Sequence, residues 1–244
     1  MNKRFALITG GAQRIGKAIA ETLHQNGFAI LLHYGSNQTA AESLAQALNT
    51  QRENSCHVLS ADLGSGQYDD LIQWVHSHTD SLHVLVNNAS QFYPTPWENA
   101  SNEQWQQLFT VNVQAPFFIT QGLLPLLKKA NGSVINLIDI HAERTLENHP
   151  IYSATKAALK SLTFSLAKDH GQTIRCNGIS PGAILWPENE GEVSDNAKQE
   201  ILNKVPMQRL GDVINIAQTA LFLVNNDYIN GQIINVDGGR TVYS

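Results

Sequence analysis

The chain has 244 residues, 42% of them hydrophobic and 15% charged, enough apolar material for a sizeable core and far from the disordered class. Its 16 basic and 21 acidic residues leave a formal net charge of −5, so no overall positive field favours nucleic acid or an anionic membrane, and any anionic ligand must be held by local groups. Cys56 and Cys176 are the only cysteines; they offer no disulfide framework and no Cys-x-x-Cys metal spacing, and they fit a reducing, cytoplasmic setting.

Basic residues precede an apolar run at the N-terminus, but that run is four residues long and gives way to Thr9-Gly10-Gly11, too short for a signal peptide. Nowhere do about 18 apolar residues follow one another, so no membrane span is expected. Residues 4–9 read as a short buried strand, and from Gly10 the chain turns into an amphipathic helical pattern carried by Ile15, Ala18, Ile19, Thr22 and Leu23. A second strand over 28–34 precedes a helix over 39–48. A third strand over 57–61 precedes a helix over 68–76, and a strongly apolar strand follows over 82–86. A long helix is predicted to start near Ser101, where Glu103 and Gln104 suit an N-terminal capping arrangement, and to run past Phe118. A strand over 134–138, a helix over 151–169 and a strand over 174–179 complete the pattern, and Asp237-Gly238-Gly239-Arg240 closes the last strand.

Strands alternating with helices of this length need crossover connections. The expected fold class is therefore α/β: one Rossmann-type domain over 1–244, with a doubly wound parallel sheet and helices on both faces. Residues 183–204 interrupt the alternation, with Trp186, Pro187 and four acidic residues up to Asp195 ahead of a short helical pattern. A long insertion at the ligand edge reads as a lid or substrate loop.

Thr9-Gly10-Gly11-Ala12-Gln13-Arg14-Ile15-Gly16 lies between the first strand and the first helix, the context that a dinucleotide fingerprint requires. Glycines there permit a tight turn and close approach to a pyrophosphate, and the helix N-terminus offers unpaired N–H groups and a positive dipole end. A glycine-rich turn also closes βα units that bind nothing; position at the first strand of an alternating chain favours the dinucleotide. The second strand ends Leu32-His33-Tyr34-Gly35-Ser36-Asn37 without the acidic residue that serves a ribose 2′-hydroxyl. Arg14, Ser36 and Asn37 are placed to surround a 2′-phosphate, so NADPH is the expected cofactor rather than NADH.

Tyr152 and Lys156 are four residues apart on a predicted helix and should share a face. A nearby ammonium favours the phenolate, so Lys156 is expected to lower the Tyr152 pKa and tune it as a general acid. Asp139 ends an apolar run that reads as a buried strand, which puts its carboxyl at the strand's C-terminal edge, where open α/β sheets bind ligands. Each signal is ambiguous alone: such Tyr/Lys pairs recur on helix surfaces, and an aspartate after a strand commonly caps a turn. Phe92 is equally readable as a core side chain. The nine histidines are scattered without a ligand pattern, so no metal is expected.

Taken together, the glycine loop, Asp62 after the third strand, Asn87-Asn88-Ala89 after the fourth, Asn112 in the long helix, Tyr152-x-x-x-Lys156 and Pro181-Gly182 resemble the short-chain dehydrogenase/reductase family in order and spacing, over essentially the whole chain. That resemblance implies a nicotinamide cofactor, Tyr152 as proton donor, Lys156 on the nicotinamide ribose, and Asn112 ordering a water relay. Two departures are informative: the family's loop glycine is replaced by Arg14, and its catalytic serine by Asp139. With Leu32-His33-Tyr34 and Asn88-Ala89-Ser90-Gln91-Phe92-Tyr93-Pro94-Thr95-Pro96, they are similar to the pteridine reductase branch. The branch can carry a further arginine where Ser36 stands here.

What the branch implies is NADPH held by Gly10, Arg14, Ile15, Gly16, His33, Tyr34, Ser36, Asn37, Asp62, Leu63, Asn88, Ala89, Ser90, Lys156, Pro181 and Gly182. A pterin or folate would then meet Ser90, Phe92, Asp139, Tyr152 and Trp186, with Phe92 stacked on its ring; Asp139, Tyr152, Lys156 and Asn112 would be the catalytic set. A ketone reductase needs a neutral hydroxyl at its developing alkoxide, whereas C=N reduction needs a proton at nitrogen, which an acid beside the phenol can relay. The leading expectation is an NADPH-dependent pteridine reductase, with a general carbonyl reductase and a non-catalytic NADP-binding protein as the other readings. Tyr93 is a weaker pocket candidate; His141, Glu143 and Arg144 are expected in a solvated loop without a role. A homotetramer packed through the helices around Asn112 and Ser161 is expected from the resemblance, with Arg240 near a neighbouring subunit's site.

Overall fold

The computed structural model describes residues 3–185 and 195–242. Seven strands, β1 (Arg4–Ile8), β2 (Phe28–Tyr34), β3 (Cys56–Ser60), β4 (Val84–Asn87), β5 (Ser133–Leu137), β6 (Arg175–Pro181) and β7 (Ile233–Val236), form one sheet in the order β3-β2-β1-β4-β5-β6-β7, and every pairing is parallel. Successive side chains of a strand point to opposite faces, so each central strand feeds two cores. Ala6 and Ile8 of β1 pack with Ile30, Leu32, Val84, Val86 and Ile135 on one face. Phe5 and Leu7 pack with Leu31, Leu85 and Val134 on the other. This double burial is why β1, β2, β4 and β5 read as continuous apolar runs.

The first face is covered by α1 (Arg14–Gln25), α2 (Gln38–Gln51) and α8 (Val213–Asn225), with α1 packed directly against α8. The second is covered by α3 (Asp69–His78), α5 (Ala115–Ala130) and α6 (Pro150–His170), bringing in Leu71, Val75, Ile119, Leu123, Leu127 and Ala167. The chain reverses its winding between β1 and β4, which opens a crevice above their C-terminal ends. Two helices, α4 (Asn102–Phe109) and α7 (Asp195–Asn203), complete the set. Among the described residues no helix is long and apolar enough to cross a membrane.

The expected doubly wound sheet is the one found. The capping arrangement at Ser101 is present: its hydroxyl accepts the Gln104 N–H at 3.3 Å, and Gln104 accepts the Ser101 N–H at 2.9 Å. The single long helix expected after it is interrupted by a π-helical turn at Thr110–Gln114 between α4 and α5. Pro116 explains part of this: it supplies no N–H to the carbonyl of Asn112 one turn earlier, so the regular ladder fails there. Helix α8 was not among the expected elements; Asp212 caps it by accepting the Ile214 N–H at 2.9 Å. Part of the expected lid, residues 186–194 with Trp186 and most of the acidic run, lies outside the described residues.

Candidate active site

Strand β1 is followed by Thr9, whose hydroxyl is the hub that fixes the loop above it. It accepts the N–H groups of Asn88 and Ala89 at 3.0 and 3.1 Å and donates to Val86 O at 3.3 Å. Asn88 answers with its amide, which donates to Thr9 O and Gly10 O at 3.0 and 2.9 Å. From the other side His33, which is buried, accepts the Gly10 N–H through Nδ1 at 3.1 Å and donates from Nε2 to Ala61 O at 2.9 Å. Burial holds its pKa below the usual imidazole value, as the neutral acceptor role requires. His33 therefore positions the glycine loop as well as lining the cleft.

Two glycines are dictated by geometry. Gly10 has φ +61°, and a Cβ at Gly16 would lie 2.4 Å from Gly10 O. Arg14 takes a left-handed conformation too, with φ +50°, at a position where glycine is the easier fit. Gln13 makes no side-chain cap on α1, and the first turn of α1 carries no acid, so its N–H groups and dipole end face the cleft unopposed. At the end of β2, Asn37 accepts the Ala40 N–H at 3.0 Å and so caps α2, whose first turn also lacks an acid. Asp62 accepts the Gly64 N–H at 2.8 Å, shaping the turn that carries Leu63. A close-approach glycine cradle, the uncapped N-terminus of α1 and the cation of Arg14 suit the phosphates of a dinucleotide.

At the opposite end of the crevice, α6 carries Tyr152 and Lys156, and Asp139 follows β5. Tyr152 Oη donates to Asp139 Oδ2 at 2.8 Å; Asp139 Oδ1 accepts the His141 N–H at 2.8 Å. Lys156 Nζ donates to Leu137 O at 3.0 Å and lies 5.6 Å from the centroid of the Tyr152 ring. The sequence-based expectation of a lowered Tyr152 pKa is corrected here: burial first, then the Asp139 carboxylate as charge and as acceptor, push it well above the usual phenol value. The Lys156 ammonium is not among the causes of this shift, which burial and Asp139 set between them. Burial, partly countered by Asp139, brings the Lys156 pKa down to about 8.

Asn112 sits in the π-helical turn, fully buried, and its side chain is a clamp. Oδ1 accepts the Gln91 N–H at 2.8 Å and the Ser90 hydroxyl at 3.1 Å; Nδ2 donates to Gln91 O at 3.0 Å and Thr155 Oγ1 at 3.1 Å. The residue thus joins the loop after β4 to α6, with both amide atoms of its side chain engaged.

Every cofactor-site residue expected from the sequence lines one cleft of about 820 Å³, and so do Phe92, Asp139 and Tyr152. Asn112 lies just behind it, next to the lining residue Val111. Phe92 is 46% exposed, so the reading as a plain core side chain does not hold. Its ring meets Tyr152 edge-on at 4.8 Å and is stacked by His149 at 4.6 Å and 11°. Tyr93 is turned away, its hydroxyl on Gln104 O and Gln107 Oε1. His141 and Arg240, given no role in this chain's own site by the sequence, line the cleft, as do Leu146 and Ile201. The signal for Arg240 was available in Asp237, whose carboxylate accepts the Gly239 and Thr241 N–H groups at 2.9 and 2.7 Å and so fixes the turn around it. No group of metal-ligating side chains exists among the described residues.

A parallel α/β sheet with its cleft at the switch point, a glycine cradle at one end and an acid–base pair at the other defines a dinucleotide-dependent oxidoreductase. The family model described as Enoyl-(Acyl carrier protein) reductase matches residues 10–241. The chain is 32% identical to the uncharacterized oxidoreductase YmfI of Bacillus subtilis, covering 98% of this chain and 99% of that one. It is 30% identical to pteridine reductase 1 of Leishmania tarentolae, with 97% and 96% covered, and 30% identical to the 3-oxoacyl-[acyl-carrier-protein] reductase FabG of Staphylococcus epidermidis, with 98% and 99% covered. The chain belongs to the short-chain dehydrogenase/reductase family of NAD(P)-dependent oxidoreductases.

Proposed function

We propose that the protein is an NADPH-dependent pteridine reductase that reduces a C=N bond of a dihydropterin or dihydrofolate to the tetrahydro form. The observation that carries this reading is the Tyr152 to Asp139 hydrogen bond of 2.8 Å, beside the half-exposed Phe92 ring in the same cleft. A bound nicotinamide supplies a hydride to carbon. The chain's own residues supply the proton: the Tyr152 phenol, neutral at physiological pH, lines the cleft and gives its proton to the ring nitrogen, and solvent reprotonates the resulting phenolate beside Asp139. Hydride at carbon and proton at nitrogen together convert C=N to CH–NH. Lys156 holds its charge next to this pair, and Phe92 offers a flat apolar face to the pterin.

NADPH is preferred over NADH in this reading because Arg14 and the uncharged end of β2 face the 2′ position. The protein acts as a homotetramer, a reading supported by Trp105, Phe117, Phe118 and Phe164, large apolar side chains left exposed on α4, α5 and α6; light scattering at a single-subunit mass would overturn it. The decisive assay follows NADPH consumption with dihydrobiopterin, dihydromonapterin, dihydrofolate and simple ketones in parallel. Pterin or folate turnover is expected. Turnover of ketones alone would assign the chain to carbonyl reduction, and tight NADPH binding without turnover of any substrate would make it a binding protein.

A further inference from the structure

The helix that carries the acid–base pair begins at a residue ill suited to begin a helix. His149 is the N-cap of α6, and its side chain makes no capping bond; serine, threonine, asparagine and aspartate are the residues that serve this position. Its imidazole is used elsewhere. Nδ1 donates to Glu147 O at 2.7 Å, which fixes the ring's tilt, and the ring lies on Phe92 at 4.6 Å and 11°. Nε2 is buried and has no partner among the described residues, so Nδ1 is the ring's one polar anchor among them. The turn around it is braced: Asn148 has φ +58°, its carbonyl accepts the Thr95 N–H at 2.6 Å, and His149 N donates to Leu146 O at 3.1 Å. The loop bearing Phe92 is thereby stitched to the start of α6, with Tyr152 edge-on to the same phenyl ring at 4.8 Å.

A local rule broken at the edge of a site points to a demand of the site. We propose that His149 is a positioning residue that sets the plane of Phe92, and through it the angle at which a flat heteroaromatic substrate meets Tyr152. The inference rests on the reading of Phe92 as the substrate's stacking face, and it extends to this chain's discrimination in favour of planar bicyclic substrates. His149 does this without touching the substrate.

The test compares His149→Asn, His149→Phe and Phe92→Ala, measuring KM and kcat for dihydrobiopterin, KM for NADPH and the thermal midpoint. His149→Asn supplies a good helix cap and removes the stacking ring. Its midpoint is expected to hold or rise while KM for the dihydropterin rises roughly tenfold and KM for NADPH stays put. His149→Phe restores a ring face but not the Nδ1 bond to Glu147 O, and is expected to bring KM part of the way back toward the wild-type value. A fall in midpoint with both KM values rising together would show a merely structural residue and overturn the proposal, as would a His149→Phe enzyme no better than His149→Asn. Phe92→Ala separates this failure from that of the underlying reading. If Phe92→Ala leaves the dihydropterin KM unchanged, the stacking face itself is wrong; if it raises KM while His149→Asn does not, only the positioning role falls.

Discussion

Tyr152 Oη and Asp139 Oδ2 lie 2.8 Å apart, and the phenol is the donor. The carboxylate therefore stabilises the protonated phenol, adding to the effect of burial in the same direction. Exchanging Asp139 for serine removes the charge and replaces the carboxylate acceptor with a shorter, neutral hydroxyl. In Asp139→Ser the Tyr152 titration, read by ultraviolet difference spectra against Tyr152→Phe, is expected to move down toward the ordinary phenol range. Dihydropterin turnover is expected to fall roughly 100-fold, the scale of one general-acid contribution, while NADPH affinity is retained. Equal loss of turnover and cofactor affinity would make Asp139 a structural cap.

Arg14 gives the second prediction, because its backbone and its side chain pull in opposite directions. At φ +50° a residue with a Cβ is strained by roughly 1–2 kcal/mol, part of which glycine recovers. Arg14→Gly is expected to raise the urea midpoint slightly while weakening NADPH far more than NADH. A variant that is more stable with an unchanged NADPH to NADH ratio would remove Arg14 from the 2′-phosphate.

The contrast between these residues shows what could be read from the chain alone. The sheet was legible because Phe5 to Ile8 and their counterparts in β2, β4 and β5 are buried on both faces, and short runs with so few polar residues admit few other readings. Asp139, Tyr152 and the glycine loop were legible because their positions follow from strand ends and from helical spacing. Spacing gave the adjacency of Tyr152 and Lys156 but not the direction of the phenol's pKa, since nothing in the sequence says that the phenol is buried and donates to Asp139. The π-helical turn had Pro116 as its one signal in the sequence, but that Asn112 clamps the backbone of Gln91 from there is a contact between elements that no spacing records. His149 and Phe92 meet only because two irregular loops are stitched together, and no periodicity records that contact. Helix α8, by contrast, had a readable cap at Asp212 and an apolar stripe through Ile216, Ala217, Ala220 and Leu223.

His33 yields a prediction of pH dependence. Its folded pKa is lowered by burial, so between that value and the unfolded value of 6.5 the unfolded chain binds more protons. The associated stability is complete above 6.5 and is lost as the pH falls through the folded value. Protonation also removes the acceptor for the Gly10 N–H, so NADPH affinity is expected to weaken over the same acid range. His33→Gln keeps a donor for Ala61 O without titrating there; a flatter acid limb of both stability and NADPH affinity is the expected result. Identical limbs in the two proteins would place the proton elsewhere, with His24, His57 and His83 the other imidazoles whose pKa is lowered mainly by burial.

Lys156 pits stability against chemistry most sharply. Its ammonium is 3% exposed, has one carbonyl partner, and has its pKa brought from 10.5 to about 8, so burial outweighs the attraction of Asp139. A shift of that size corresponds to about 3 kcal/mol of cost to the folded state. The sign follows from proton binding: between about 8 and 10.5 the unfolded chain holds more protons, so stability rises with pH across that window, and below it the cost is present in full. Replacing the ammonium with an apolar chain of similar length removes the cost. Lys156→Met is therefore expected to unfold at higher urea than the wild type near neutral pH, by up to about 3 kcal/mol, and to lose that advantage as the pH approaches 10.5. Activity should be lost in the same variant, because the charge beside Tyr152, the proposed partner of the nicotinamide ribose, is gone. A Lys156→Met protein less stable than wild type at neutral pH would show that the Leu137 hydrogen bond, not the buried charge, dominates at this position.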